Sequence, residues 1–270
     1  MNPYCKLLRP TVCLLSAFGL LVGAIVAQAL VPVLALGLIA AFIICGAGNA
    51  INDYFDYEID KINQPKRPIP SGRVSRKAAL IYFAVLSIAG AALAFFVSLP
   101  FFVIAVFNIF VLFIYSWKLK PVALIGNAAV AYLAASSFLA AGLIISNFNS
   151  LWGSAIFMLA VVSFLGTIAR EIIKDVEDIK GDEKLGMRTL PIVVGEKIAK
   201  AVAYAILVIA CASLIWPYQM LSTYYLIGAI PGILACLYAI AKHKNPRKSQ
   251  KMVKVAMYFV MLGFLLGSLL

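Results

Sequence analysis

Charge is what this chain has least of. Charged residues make up 13% of its 270 positions, about half of the ~25% usual in a soluble globular domain. Together with 64% hydrophobic residues and a mean hydropathy of +1.00, that shortage excludes a water-soluble fold. Acids are scarcer still, with 11 Asp and Glu against 23 Lys and Arg, and the single histidine is His243. The five cysteines (Cys5, Cys13, Cys45, Cys211 and Cys236) are odd in number and show no Cys-x-x-Cys spacing. Four of them lie inside apolar runs, so they read as small buried hydrophobes, neither disulfide partners nor metal ligands.

What is present is a series of apolar runs of about 20 residues, the length of a membrane-crossing helix rather than of a barrel strand. Nine spans are expected, at about 11–30, 32–54, 78–97, 100–120, 121–146, 151–173, 199–216, 224–241 and 253–270. The fold class is therefore all-α and polytopic, with residues 1–270 forming one integral membrane domain. Ala27-Gln28-Ala29 resembles a signal-peptidase site, but the next apolar run follows at once and the spans alternate cleanly, so no cleavage is expected. Two polar loops interrupt the apolar pattern, at about 61–77 and 180–196. Pro65, Pro68 and Pro70 keep the first of them from continuing as a helix.

The formal net charge of +12 could suggest a nucleic-acid partner, but its placement does not. Every Lys and Arg lies before the first span, after an even-numbered span, or at the adjoining helix ends. The connections near Val31, Ser98, Asn147 and Tyr218 carry none. By the positive-inside rule the charged face is cytoplasmic, with the N-terminus on that side. All the acids and His243 fall on the same face, which topology alone does not require.

Those acids are ordered. Asn49, Asp53, Asp56 and Asp60 follow one another at +4, +3 and +4, and at about 100° per helical residue they fall within roughly 60° of one another. Glu171, Asp175, Asp178 and Asp182 repeat the spacing. After each stripe the chain turns basic and reaches Arg-x-x-Pro (Arg67–Pro70, Arg188–Pro191) and then a glycine (Gly72, Gly195). We read this as an internal duplication placing two acidic helices toward one site. Carboxylates so crowded repel unless a cation sits among them, and a hard divalent ion prefers oxygen ligands.

Three uses compete for such stripes. A cation transporter would call for broken helices near the midplane, whereas these acids lie at one membrane face. Plain solvation of a helix end would not reproduce the spacing twice. Mg²⁺-bridged binding of a phosphorylated substrate fits best, with neighbouring Lys and Arg taking the remaining phosphate charge. A diphosphate held beside apolar walls describes a prenyl diphosphate. Ionisation of its allylic C1–O bond would leave a carbocation shielded from water.

Asn52-Asp53-x-x-Asp56-x-x-x-Asp60 and Asp175-x-x-Asp178-x-x-x-Asp182 resemble the two signature motifs of the UbiA-type intramembrane prenyltransferases. The polar loops after spans two and six and the Tyr-Ser-x-x-Leu-Lys at Tyr115–Lys120 are similar as well. The resemblance implies nine helices around a central cavity, capped by the two polar loops. Within the family, Asp60–Gly72 and Arg170–Asp182 look most like the archaeal members that join geranylgeranyl diphosphate to geranylgeranylglyceryl phosphate in ether-lipid biosynthesis. Chlorophyll synthases share much of the first segment, so the second carries the distinction. Quinone-pathway members often have Arg where Tyr57 stands here. An aromatic or chlorophyll-type acceptor is the alternative.

The resemblance also implies roles. Asp53 and Asp56, assisted by Asn49 or Asn52, would hold one Mg²⁺, and Asp175 and Asp178 a second; these four aspartates are the candidate catalytic residues. Arg67, Lys120 and Lys174 are candidates for diphosphate oxygens, and Lys118, Arg170 and Arg188 for either phosphate. Asp60, Asp182, Tyr115 and Glu171 would support them; Glu171 departs from the Asn of the first stripe. The implied partners are a prenyl diphosphate, a lipid phosphate acceptor and the bilayer, with no nucleic acid. Asn108, Asn127 and Tyr132 either line the cavity or bond between helices. Arg9, ahead of Pro10, reads as a topology anchor.

Overall fold

The computed structural model describes residues 2–270, and all their regular structure is helical; the one β-type pairing among them is an isolated bridge between Val122 and Arg188. In chain order the helices are α1 (Pro3–Leu8), α2 (Pro10–Val26), α3 (Leu34–Phe55), α4 (Tyr57–Asn63), α5 (Arg76–Val97), α6 (Leu99–Ile114), α7 (Ile125–Gly142), α8 (Phe148–Leu151), α9 (Ala155–Lys184), α10 (Leu190–Val194), α11 (Glu196–Ser213), α12 (Leu226–Ala241) and α13 (Pro246–Leu269).

Eight helices among the described residues are long and apolar enough to cross a membrane, from Leu34–Phe55 to Pro246–Leu269. The first expected span is the 17-residue α2, about 25 Å long against a hydrocarbon core of ~30 Å. Large side chains such as Ile88, Phe96 and Ile215 stand exposed on these helices, as lipid-facing residues do. Two boundaries differ instructively from the sequence expectation. The fourth span ends in a π-helical turn, Tyr115–Leu119, a form that recurs at functional sites. The last helix starts at Pro246 rather than about 253. Asn245 caps it, accepting the Lys248 backbone N–H at 3.0 Å, and Pro246 occupies a position where a missing N–H costs nothing. Apolar run length does not register such a polar first turn.

The chain divides into two compact units. The first comprises residues 1–24, 28–118 and 136–149. In it α3 packs against α5 and α6, and α1 lies on α3. Leu7, Ala50, Ile69, Val74 and Ala79 form one buried cluster under the first polar loop. That loop is tightly turned. Arg67 N–H donates to Gln64 at 2.9 Å, Ser71 N–H to Arg67 at 3.1 Å and Val74 N–H to Pro68 at 3.0 Å. Gly72 supplies φ +75, a left-handed conformation that a Cβ disfavours.

The second unit comprises residues 25–27, 119–135 and 150–270. Here α9 packs on α11 and α13, and α12 on α13. A Cβ on Gly228 of α12 would come 2.2 Å from the Gly263 backbone nitrogen of α13, so only glycine permits that backbone approach. On α9 the apolar residues Ala169, Ile172, Ile173 and Val176 enter the core. At 100° per residue they face roughly away from Glu171, Asp175, Asp178 and Asp182.

Candidate active site

In the first unit the acidic stripe straddles a bend. α3 ends at Phe55 and α4 begins at Tyr57, with Asp56 between them at φ −76, ψ 2. The bend keeps the helical register, because Asp56 N–H still donates to Asn52 at 2.9 Å and Asp60 N–H to Asp56 at 2.8 Å. Asp53, Asp56 and Asp60 are all buried, at 1%, 8% and 4% exposure, and Asp56 and Asp60 are near enough to repel the Asp53 charge. Buried carboxylates must be paired or hydrogen-bonded, and these are. Asn52 Nδ2 donates to Asp56 Oδ2 at 2.8 Å. Arg67 Nη1 bridges Asp60 Oδ2 at 2.6 Å and Asp53 Oδ1 at 3.3 Å.

Arg9 completes this arrangement, its Nη2 bonding Asp53 Oδ1. It occupies the corner between α1 and α2 at φ 55. Asn49 pins that corner, donating from Nδ2 to the Leu8 carbonyl at 2.9 Å. Asn49 and Asp53, one helical turn apart, therefore grip consecutive residues, Leu8 and Arg9. Reading Arg9 as a topology anchor missed this contact. The available signal was an arginine at a helix–proline corner, but its partner lies 44 residues away.

Tyr115 caps α6 by donating its backbone N–H to the Leu112 and Val111 carbonyls. Lys118 is exposed, its ammonium 4.0 Å from the Trp117 ring centroid. Lys61 is committed elsewhere. It lies 4.2 Å from the Tyr57 ring centroid and 3.3 Å from Glu58, and hydrogen bonds to Tyr57 and Glu58 hold its ammonium above the usual lysine range.

In the second unit the stripe runs along the unbroken 30-residue α9. Asp175 and Asp182 are half-buried and Asp178 is exposed. Asn127 of α7 donates to Asp175 Oδ2 at 2.8 Å, a positioning contact that the sequence reading left open. Glu171 is taken by Arg170, with Lys174 at 3.9 Å. Lys174 and Lys120 both act electrostatically on Asp182. Arg188 is exposed. Its backbone N–H donates to the Pro121 carbonyl at 3.0 Å, which lays the second polar loop beside the segment carrying Lys120.

The donor sets suit a hard divalent ion. Each stripe offers two neighbouring carboxylates, and the first adds an amide. Among the described residues no three His, Cys, Asp or Glu groups converge into a closed metal cage. Mg²⁺ does not require one, since it is usually held by one or two carboxylates, waters and substrate phosphates.

A family model described as the UbiA prenyltransferase family matches residues 12–263. The digeranylgeranylglyceryl phosphate synthase of Methanococcoides burtonii is 41% identical over 99% of this chain and 100% of its own length. A solved structure of digeranylgeranylglyceryl phosphate synthase superposes with a TM-score of 0.88 at 33% identity, covering 98% of this chain and 97% of that one. A UbiA homologue from Archaeoglobus fulgidus, solved with GPP and Mg²⁺, gives a TM-score of 0.69 at 17% identity over 97% and 98% of the two chains, which speaks to the fold alone.

Proposed function

The chain belongs to the UbiA prenyltransferase family, and on that premise we propose that it transfers a geranylgeranyl group from geranylgeranyl diphosphate to geranylgeranylglyceryl phosphate. The free hydroxyl oxygen of the acceptor bonds to C1 of the donor, the C1–O bond to diphosphate breaks, and the hydroxyl proton is lost. The observation that carries this reading is the full-length similarity to the M. burtonii synthase.

Asp53 and Asp56, with Asn49 or Asn52, would hold one Mg²⁺, and Asp175 and Asp178 a second. When bound, the ions supply positive charge to the diphosphate and stabilise it as a leaving group. The repetition of the stripe is the reason to assign both ions to one substrate. Arg67, Lys120 and Lys174 take diphosphate oxygens, and Lys118, Arg170 and Arg188 serve either phosphate. Asn127 orients Asp175, and Asn49 holds the Arg9 corner against Asp53. With α2 as a first span, nine helices cross the membrane, and the N-terminus and both acidic helix ends lie on the cytoplasmic side.

The test offers purified protein geranylgeranyl diphosphate with geranylgeranylglyceryl phosphate and, separately, with aromatic acids, and identifies the lipid products. Digeranylgeranylglyceryl phosphate as the sole product supports the proposal. Prenylation of the aromatic acids instead would defeat it.

A further inference from the structure

The stretch from 242 to 254 is a cationic segment far in sequence from both acidic stripes. It carries Lys242, Lys244, Arg247, Lys248, Lys251 and Lys254, half of the chain's formal net charge of +12, and no acid follows Glu196. All six side chains are exposed, as is His243. The second polar loop mixes its cations with acids; the first has no acid of its own, but its Lys61 and Arg67 are paired with Glu58, Asp53 and Asp60 just before it. Topology needs a few positive charges at this corner; it does not need their backbone to be fixed.

The backbone that carries them is tied down by hydrogen bonds. Lys242, His243 and Asn245 N–H groups donate in succession to Tyr238, Ile240 and Lys242 at 2.8–3.0 Å. Ser249, fully buried, donates to the Ala239 carbonyl at 2.9 Å and meets the Tyr204 hydroxyl at 3.0 Å. A buried serine thus clasps the first turn of α13 to the end of α12 and to α11. The acid contacted from this stretch, Glu177 of α9, is engaged by Arg247 at 3.9 Å and Gln250 at 3.3 Å. Lys242 and Lys254 sit over the exposed rings of Tyr238 and Tyr258, at 5.3 and 5.8 Å from their centroids. Tyr238 beneath Lys242, near the end of a helix long and apolar enough to span a membrane, marks the headgroup level.

We propose that the α12–α13 corner is a binding site for the phosphate headgroups of anionic membrane lipids. The clasped turn presents Lys242, Lys244, Lys248, Lys251 and Lys254 as one platform at the depth where lipid phosphates lie, and a basic cluster of this size beside a spanning helix attracts anionic lipid. The site belongs to the surface of the second unit and does not depend on the proposed reaction.

Its test uses binding, so it is independent of turnover. The full-length chain in detergent is titrated with phosphatidylglycerol or with phosphatidylcholine of the same acyl chains, and bound lipid is counted by native mass spectrometry. The comparison protein is K244Q/K248Q/K251Q, with K244R/K248R/K251R as the charge-preserving control. Phosphatidylglycerol should bind at least roughly tenfold tighter than phosphatidylcholine. Most of that preference should vanish in the glutamine variant and survive in the arginine variant. Equal binding of the two lipids, or an undiminished preference in the glutamine variant, would overturn the proposal. So would loss of the preference in both variants, or displacement of phosphatidylglycerol by an equal concentration of inorganic phosphate.

Discussion

In the first unit the carboxylates of Asp53, Asp56 and Asp60 are buried, with Arg9 and Arg67 on Asp53, Arg67 on Asp60 and the Asn52 amide on Asp56. On α9 the same +4, +3, +4 spacing leaves Asp178 exposed, gives Asp175 a neutral amide, and spends the nearest arginine on Glu171. The spacing sets which side chains share a helix face. What surrounds that face comes from distant segments, and the two stripes drew different ones. The first carries much of its compensating charge within the protein. Among the described residues none of the second stripe's three aspartates is paired with an arginine, so it leans more on charge from outside. If both nonetheless serve the same substrate, their mutational profiles should agree in catalysis and diverge in stability.

The largest expected effect is the one on which the stripes should agree. Asp53→Ala and Asp175→Ala should each lower kcat/KM by several orders of magnitude, about 3 or more, and excess chelator should abolish turnover in the parent. A full rate in chelator, or a mild Asp175→Ala beside a severe Asp53→Ala, would break the equivalence.

Next in size is acceptor recognition. Neutralising an acceptor-side cation, with Lys118→Gln and Arg188→Gln as the first choices, should raise KM for the acceptor by about 10- to 100-fold. This corresponds to ~1.5–3 kcal/mol for a lost charge-assisted hydrogen bond, and KM for the prenyl diphosphate should change much less. Dephosphorylated geranylgeranylglycerol should be a poor acceptor. Its turnover at the rate of the phosphorylated lipid would contradict the assignment.

A smaller effect sharpens the picture of the second stripe. Asn127→Ala removes the amide that orients Asp175, and support of this kind is worth about 10-fold or more in metal affinity. The Mg²⁺ concentration for half-maximal activity should rise accordingly, with kcat at saturating Mg²⁺ largely restored. A fall in kcat that Mg²⁺ does not rescue would make Asn127 more than an orienting group.

The smallest effects are those on which the stripes should part. In metal-free protein Arg67→Gln should cost about 1–3 kcal/mol of stability by leaving buried carboxylates short of a partner. Lys174→Gln, whose ammonium is half exposed and 3.9 Å from Glu171, should cost under ~0.5 kcal/mol. Thermal unfolding in one detergent checks both, and equal losses would remove the contrast.

The apolar runs made the helical, polytopic fold legible, because a lipid-spanning helix writes itself as uninterrupted hydrophobicity. The family was legible in the two aspartate motifs. Helix ends were read less well: the start of α13 is set by Asn245 and Pro246, and the bend at Asp56 leaves no break in periodicity. The contacts of Arg9 with Asp53 and of Asn127 with Asp175 were out of reach, since 44 and 48 residues separate the partners. Periodicity reports only which residues share a face, never what packs against it.

The central claim is that the two stripes, so differently surrounded, each hold one divalent ion on the prenyl diphosphate. The direct measurement counts bound Mn²⁺ by electron paramagnetic resonance in the presence of a non-ionisable thiolodiphosphate analogue of the donor. The account predicts two ions in the parent and one each in Asp53→Ala and Asp175→Ala. Two ions retained in either variant, or a single ion in the parent, would contradict it.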